Sequence, residues 1–149
     1  MDWNHYRFRS LWSLTAPVPA VYRALERIED YPGWWPQVRE VTRVDDTRGL
    51  VRIRSLLPFD LVTAMKEGLR DPAAGILEAG LSGDVEGWAR WTISRRGDGG
   101  SLARYDQEVD VRRPLLRRLA VPGRPLFHLN HTLMMRAGRR GLAAHLEAV

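Results

Sequence analysis

Val85-Glu86-Gly87-Trp88-Ala89-Arg90-Trp91-Thr92-Ile93-Ser94-Arg95, the turn Gly97-Asp98-Gly99-Gly100, and Ser101-Leu102-Ala103-Arg104-Tyr105-Asp106-Gln107-Glu108-Val109-Asp110-Val111 carry the pattern that decides the fold. In the first run Glu86, Trp88, Arg90 and Thr92 share one face, and Val85, Gly87, Ala89, Trp91 and Ile93 the other. In the second, Ala103, Tyr105, Gln107, Val109 and Val111 form the inward set. Alternation of period two marks strands with one face turned to a core, and a glycine-rich connection marks a hairpin. Working backwards, segments 76–82, 61–69, 50–57 and 38–44 read as strands too. Gly83-Asp84, Asp71-Pro72, Pro58-Phe59-Asp60 and Asp45-Asp46-Thr47-Arg48-Gly49 separate them. Six successive strands at hairpin spacing predict an antiparallel meander. A seventh lies earlier, at 6–14, with Tyr6, Phe8, Ser10, Trp12 and Leu14 on one side and Arg7 and Arg9 opposite.

Between the first two strands, Thr15-Ala16-Pro17-Val18-Pro19 starts a helix, with prolines in its first turn. Val21, Leu25 and Ile28 continue it at helical spacing, and Asp30-Tyr31-Pro32-Gly33 is expected to end it. Trp34-Trp35-Pro36 follows as a short aromatic connector. After the meander, 114–119 reads as a short helical turn, interrupted by Pro122-Gly123-Arg124-Pro125. From 126 to 146 only Gly138 and Gly141 disturb a helical pattern about 30 Å long. The predicted class is α+β, in one domain over residues 1–149. A curved seven-stranded antiparallel sheet wraps a long C-terminal helix, with two short helices between strands one and two. Only the long helix is large enough to cover the sheet's inner face, and the gap between them is a natural small-molecule site.

Stepping the long helix at about 100° per residue puts Arg136, Arg139, Arg140, Thr132 and Glu147 on an arc expected to face water. The opposite arc centres on Phe127, Asn130, Met134, Gly138, Gly141 and His145. His131, Met135 and Leu142 flank one edge; Leu126, Leu133, Ala137 and Ala144 flank the other. A glycine inside a helix costs about 1 kcal/mol against alanine, so Gly138 and Gly141 call for something bulky close by. A tryptophan, the sheet backbone or a ligand would serve. Met134 and Met135 suit a core or a cavity wall. Asn130 and His131 on a buried face need partners, and a histidine so placed is more often hydrogen-bonded core than catalyst.

The chain has 149 residues, 44% of them hydrophobic and 28% charged, and no cysteine. That composition excludes a disulfide scaffold, a cysteine zinc site and a cysteine nucleophile. The N-terminal residues open no apolar signal segment, and no run approaches the roughly 18 apolar residues of a spanning helix, so the cytoplasm is the expected location. No phosphate-binding glycine loop or nucleophile elbow is present, and no cofactor is expected. Of His5, His128, His131 and His145, the pair at 128 and 131 has a chelating spacing, but His128 points to the polar arc, so no metal site is expected. The net charge is +5, made of −2 in residues 1–111 and +7 from Arg112 onward. A solvated helix face accounts for this asymmetry; an anionic lipid surface is the partner it otherwise suggests. The chain carries no nucleic-acid motif, and nucleic acid is not an expected partner.

Several segments resemble the polyketide cyclase/dehydrase branch of the START-like (SRPBCC) superfamily. They are Ala16-Pro17 opening a helix after a strand, Tyr31-Pro32-Gly33-Trp34-Trp35-Pro36, and Leu57-Pro58-Phe59. Leu81-Ser82-Gly83-Asp84-Val85-Glu86-Gly87 followed by Trp91, and Asn130-His131 with Met134-Met135 and Gly138, belong with them. The resemblance spans nearly the whole chain and implies the helix-grip fold over a hydrophobic cavity. It implies lipid, steroid, polyketide or quinone-like ligands and, for some members, polyketide cyclisation or dehydration. It carries no catalytic motif onto particular residues.

Combining faces, the expected cavity wall is Trp12, Ile53, Ser55, Met65, Trp91, Tyr105, Gln107, Asn130, His131, Met134 and Gly138. It is mostly apolar with a few hydrogen-bonding groups, which suits a small hydrophobic aromatic or acyl ligand. As a catalyst, the site would use His131 with Tyr105 for enolisation and dehydration in an aldol-type ring closure. Three functions remain open: a hydrophobic-ligand binder, a cyclase/dehydrase, and a basic module for anionic lipid surfaces. Nothing in the sequence sets the oligomeric state.

Overall fold

The computed structural model describes residues 4–55, 60–112 and 124–148. The expected helical turn at 114–119 and the Leu57-Pro58-Phe59 motif lie outside them. Strand β1 (His5–Leu14) leads into helix α1 (Val18–Glu26) and a 3-10 segment (Ile28–Gly33). The meander follows as β2 (Val38–Arg43), β3 (Arg48–Ile53), β4 (Leu61–Asp71), β5 (Ile76–Gly83), β6 (Val85–Arg95) and β7 (Ser101–Val111), and the long helix α2 spans Arg124–Glu147. All described strands belong to one antiparallel sheet in the order β1-β7-β6-β5-β4-β3-β2. The helix-grip arrangement is therefore present, with β1 added beside the last strand of the meander.

Period two decides what each strand shows the core. Ser10, Tyr105, Trp91 and Leu77 oppose one another in successive registers across β1, β7, β6 and β5, and so lie on one inner row. The outer face is held in water by paired charges: Arg9 to Asp106 at 2.6 Å, Arg90 to Glu78 at 2.7 Å and Arg112 to Glu86 at 3.0 Å. Exposed pairs of this kind add about 0–1 kcal/mol each; their larger effect is to fix which face is wet.

Helix α1 begins on Pro17, whose extended backbone (φ −71°, ψ 159°) serves as N-cap, and buries Val21, Tyr22 and Leu25. It ends at Glu26, earlier than the expected stop at Asp30-Tyr31-Pro32-Gly33. Arg27 leaves helical geometry (φ −89°, ψ 78°), and Ile28–Gly33 winds as a 3-10 segment with Pro32 inside it. The physical reason is Tyr31, whose buried hydroxyl donates to the Leu25 carbonyl at 2.5 Å. It thereby satisfies a backbone acceptor that the helix end leaves open. The Trp34 and Trp35 amides then donate to the Tyr31 carbonyl at 3.1 and 2.7 Å, and both indoles turn into the core.

These two tryptophans seat helix α2. The Trp35 indole Nε1 donates to the Met134 carbonyl at 2.9 Å. A Cβ on Gly138 would lie 2.5 Å from Trp35 Cε2, and one on Gly141 would lie 1.7 Å from the Trp34 carbonyl oxygen. The bulky neighbour that the glycines call for is thus the connector. The buried arc of α2 centres on Met135, Gly138 and Leu142, while Leu133, Ala144 and His145 are exposed. This corrects the expected arc by a rotation of roughly 70° at about 100° per residue. Apolar periodicity alone weighs all hydrophobic positions equally, whereas close backbone approach is possible only along the glycine side.

Gly141→Ala is expected to lower the unfolding free energy by about 3 kcal/mol in urea titrations, because the clash is with backbone and outweighs the gain in helix propensity. Gly33→Ala, where nothing lies within 4 Å of the added methyl, is expected to stay within about 0.5 kcal/mol of the parent protein.

Candidate functional site

Residues of all seven strands, the end of α1, the 3-10 segment, Trp35 and the N-terminal half of α2 enclose a cavity of about 280 Å³. Its position follows from the seating of α2. Gly138, Gly141 and Leu142 press the C-terminal half onto the tryptophan connector, while the full-sized Phe127, His131 and Met134 hold the N-terminal half off the sheet.

Of the residues expected in the wall, Ile53, Ser55, Met65, Trp91, Tyr105, Gln107, Asn130, His131 and Met134 line this cavity. Trp12 and Gly138 do not, and both are corrections. Trp12 faces inward, but its ring packs 4.7 Å from Trp91 and 5.3 Å from Trp35 between centroids, in the closed half of the interior. Gly138 is covered by Trp35. Phe8, Thr63 and Phe127 line the wall without having been singled out; Phe8 shares the inner face of β1, which was the signal for it.

The polar groups of the wall around His131 are uncharged. His131 stacks on Phe8 at 4.0 Å between ring centroids, with planes 8° apart. Burial, reinforced by nearby His128, pushes its pKa down to about 4, so the imidazole is neutral at pH 7. Among the described residues its nitrogens have no hydrogen-bond partner, which leaves one donor and one acceptor. Tyr105 stands 5.9 Å from His131 between centroids, but its hydroxyl donates to the Gln107 side-chain carbonyl at 2.6 Å. Burial raises the Tyr105 pKa, so it too stays neutral. Ionised groups also line the cavity: Arg43 pairs with Glu29 at 3.1 Å and Arg70 with Glu67 at 2.8 Å, and Asp46, Arg48 and Glu78 lie in the wall as well. Among the described residues no three His, Cys, Asp or Glu side chains converge on a metal-sized point.

Comparison with known proteins bears on this geometry. The sequence model of a family described as polyketide cyclase/dehydrase and lipid transport matches residues 14–132. No curated protein matches the chain. Among solved structures, the Zhui aromatase/cyclase from Streptomyces is similar with a TM-score of 0.81 at 11% identity, over 96% of this chain and 94% of that one. A START superfamily protein from Mycobacterium smegmatis gives a TM-score of 0.60 at 19% identity, over 88% and 96%. The di-domain ARO/CYC BexL gives 0.71 at 13% identity over 99% of this chain, which corresponds to 52% of BexL. At these identities the likeness establishes the fold.

The depressed pKa of His131 has a stability consequence with a definite sign. Between about 6.5 and about 4 the unfolded chain binds the proton that the folded protein refuses, so stability falls as pH drops through that window. His5, whose pKa is raised by the hydrogen bond it donates to Asp110, acts in the opposite direction, and the depressed Asp45 and Asp98 carboxylates contribute only at lower pH. His131→Phe keeps the ring and removes the titration. Urea midpoints measured from pH 7 to 4.5 are expected to fall for the parent protein and to flatten in the variant, by about 2 kcal/mol at the acid end.

Proposed function

The chain belongs to the polyketide cyclase/dehydrase and lipid transport family, and from that premise we propose that it binds one small, uncharged, largely apolar molecule in the cavity under α2. The observation that carries this reading is the character of the wall beneath α2: apolar side chains with the neutral His131, Asn130, Gln107 and Tyr105, while charged lining residues such as Glu29, Arg43, Glu67 and Arg70 lie toward α1 and the 3-10 segment. A dry pocket of this kind disfavours a buried ion and accepts a ring or acyl body bearing an oxygen or two. His131 and the Gln107 amide supply the hydrogen bonds that orient it. No helix among the described residues is long and apolar enough to cross a membrane; the proposal places this binding in the cytoplasm.

The second reading is a polyketide cyclase/dehydrase, favoured by the family and by His131 and Tyr105 sharing one wall. Acid–base tuning weighs against it. A base whose conjugate acid ionises near 4 has little driving force to take a proton from carbon, and general bases work best near the operating pH. Retained turnover of a poly-β-ketone in a His131→Phe, Tyr105→Phe double variant would dismiss a catalytic role for these two residues.

Native mass spectrometry of the purified protein is expected to show a mass adduct that disappears on denaturation. Ile53→Trp, which fills the wall from β3, is expected to abolish the adduct and weaken binding of the neutral dye Nile red about tenfold or more, with the melting curve retained. Absence of an adduct together with no saturable dye binding by the parent protein would overturn the reading.

A further inference from the structure

We infer that the outer face of α2 is a docking surface for an anionic phospholipid bilayer. Leu129 and Leu133, one turn apart, are 51% and 39% exposed. Arg136 and Arg140 continue the same face, Arg139 adjoins it, and all three are exposed. A lone exposed leucine needs no explanation. Here two adjoin three guanidinium groups that have no ion pair or hydrogen bond among the described residues. Most arginines of the sheet behave otherwise: Arg7, Arg9, Arg90 and Arg104, for example, each sit against a carboxylate. Nor does α2 supply one, since its only acidic residue is Glu147 at its end.

Leucines flanked by unpaired arginines suit an amphipathic interfacial helix. The apolar chains enter the boundary between headgroups and acyl chains, and the guanidinium groups remain among the phosphates. Charge complementarity therefore selects an anionic surface, and the leucines select a bilayer over a nucleic acid. A nucleic-acid strand would use the arginines but offer leucine nothing to stack on. The opposite side of the same turns presents Asn130, His131 and Met134 to the cavity, so a docked protein would lay its cavity-covering helix on the bilayer. The surface does not depend on the cavity being occupied.

The test is co-sedimentation with vesicles of phosphatidylcholine alone and of phosphatidylcholine with roughly one-third phosphatidylglycerol. The parent protein is expected to bind the anionic vesicles at low salt, to ignore the neutral ones, and to be released as salt rises. Arg136→Gln, Arg139→Gln and Arg140→Gln together are expected to weaken binding by about a hundredfold. Leu129→Ser with Leu133→Ser is expected to weaken it by about tenfold at unchanged charge. These side chains are exposed, so circular dichroism and melting should match the parent protein. Failure of the parent protein to bind anionic vesicles would overturn the proposal. So would equal binding by the arginine variant, or leucine replacements without effect alongside equally tight binding to a polyuridine strand.

Discussion

Trp35 meets helix α2 at a single carbonyl, and the placement of the rest of the interior follows from that contact. The Met134 oxygen that accepts the indole proton at 2.9 Å is also the regular helical acceptor for the amide of Gly138. Its second lone pair is reachable only because Gly138 has no side chain, and Gly141 lets the helix backbone ride directly on the Trp34 carbonyl. The connector, and not the sheet, therefore sets the height of the C-terminal half of α2. Beyond the glycines the helix carries full-sized side chains toward the sheet, and the separation they impose is the cavity. One helix thus closes one end of the molecule and leaves the other hollow.

The hollow end is governed by the cost of burying charge. Away from the charged side chains near α1, an ion would lose its hydration uncompensated, and the buried titratable groups His131 and Tyr105 are held in their neutral forms. Burial depresses His131 and raises Tyr105, two shifts with one cause. Charged side chains also line the cavity, and some of them are tied into pairs such as Arg43–Glu29. On the proposed reading, recognition beneath α2 would depend on shape and on a few uncharged hydrogen bonds. The same desolvation that makes His131 a clean hydrogen-bonding group makes it a poor proton acceptor from carbon.

Local alternation made the sheet legible. Strands β6 and β7 begin and end where period two begins and ends, and Glu86 and Arg90 lie outside for the same reason. The family resemblance rested on the tryptophan box, which turns out to be the element that seats the helix. What escaped the sequence depends on contacts between distant segments. The rotation of α2 is set by Trp34 and Trp35, so helical periodicity could show that the glycines needed a close neighbour but not which one. The early end of α1 depends on the Tyr31 hydroxyl reaching back to Leu25. Trp12 points inward as expected, yet which stretch of the interior is hollow is decided by the helix above it. The stacking of Phe8 on His131 joins the first strand to the last helix, beyond the reach of any local pattern.

The two ends of α2 are fastened by different forces, and this makes the molecule asymmetric in stability as well as in shape. At the middle and C-terminal half, an indole-to-carbonyl hydrogen bond at Met134 and the backbone proximity of Gly141 to Trp34 reinforce a large tryptophan core, so displacing the helix there leaves a buried donor and acceptor unpaired. At the N-terminal half the attachment is a small cluster around Tyr6, with Phe127 5.5 Å from its ring, Arg124 4.4 Å above it and His131 on Phe8, together with a hydrogen bond from Arg124 to the His5 carbonyl at 3.0 Å. Ring contacts of that kind contribute about 0.5–1.5 kcal/mol apiece and tolerate small shifts. One end of the cavity roof is thus held by close backbone approach, the other by ring contacts and a guanidinium hydrogen bond.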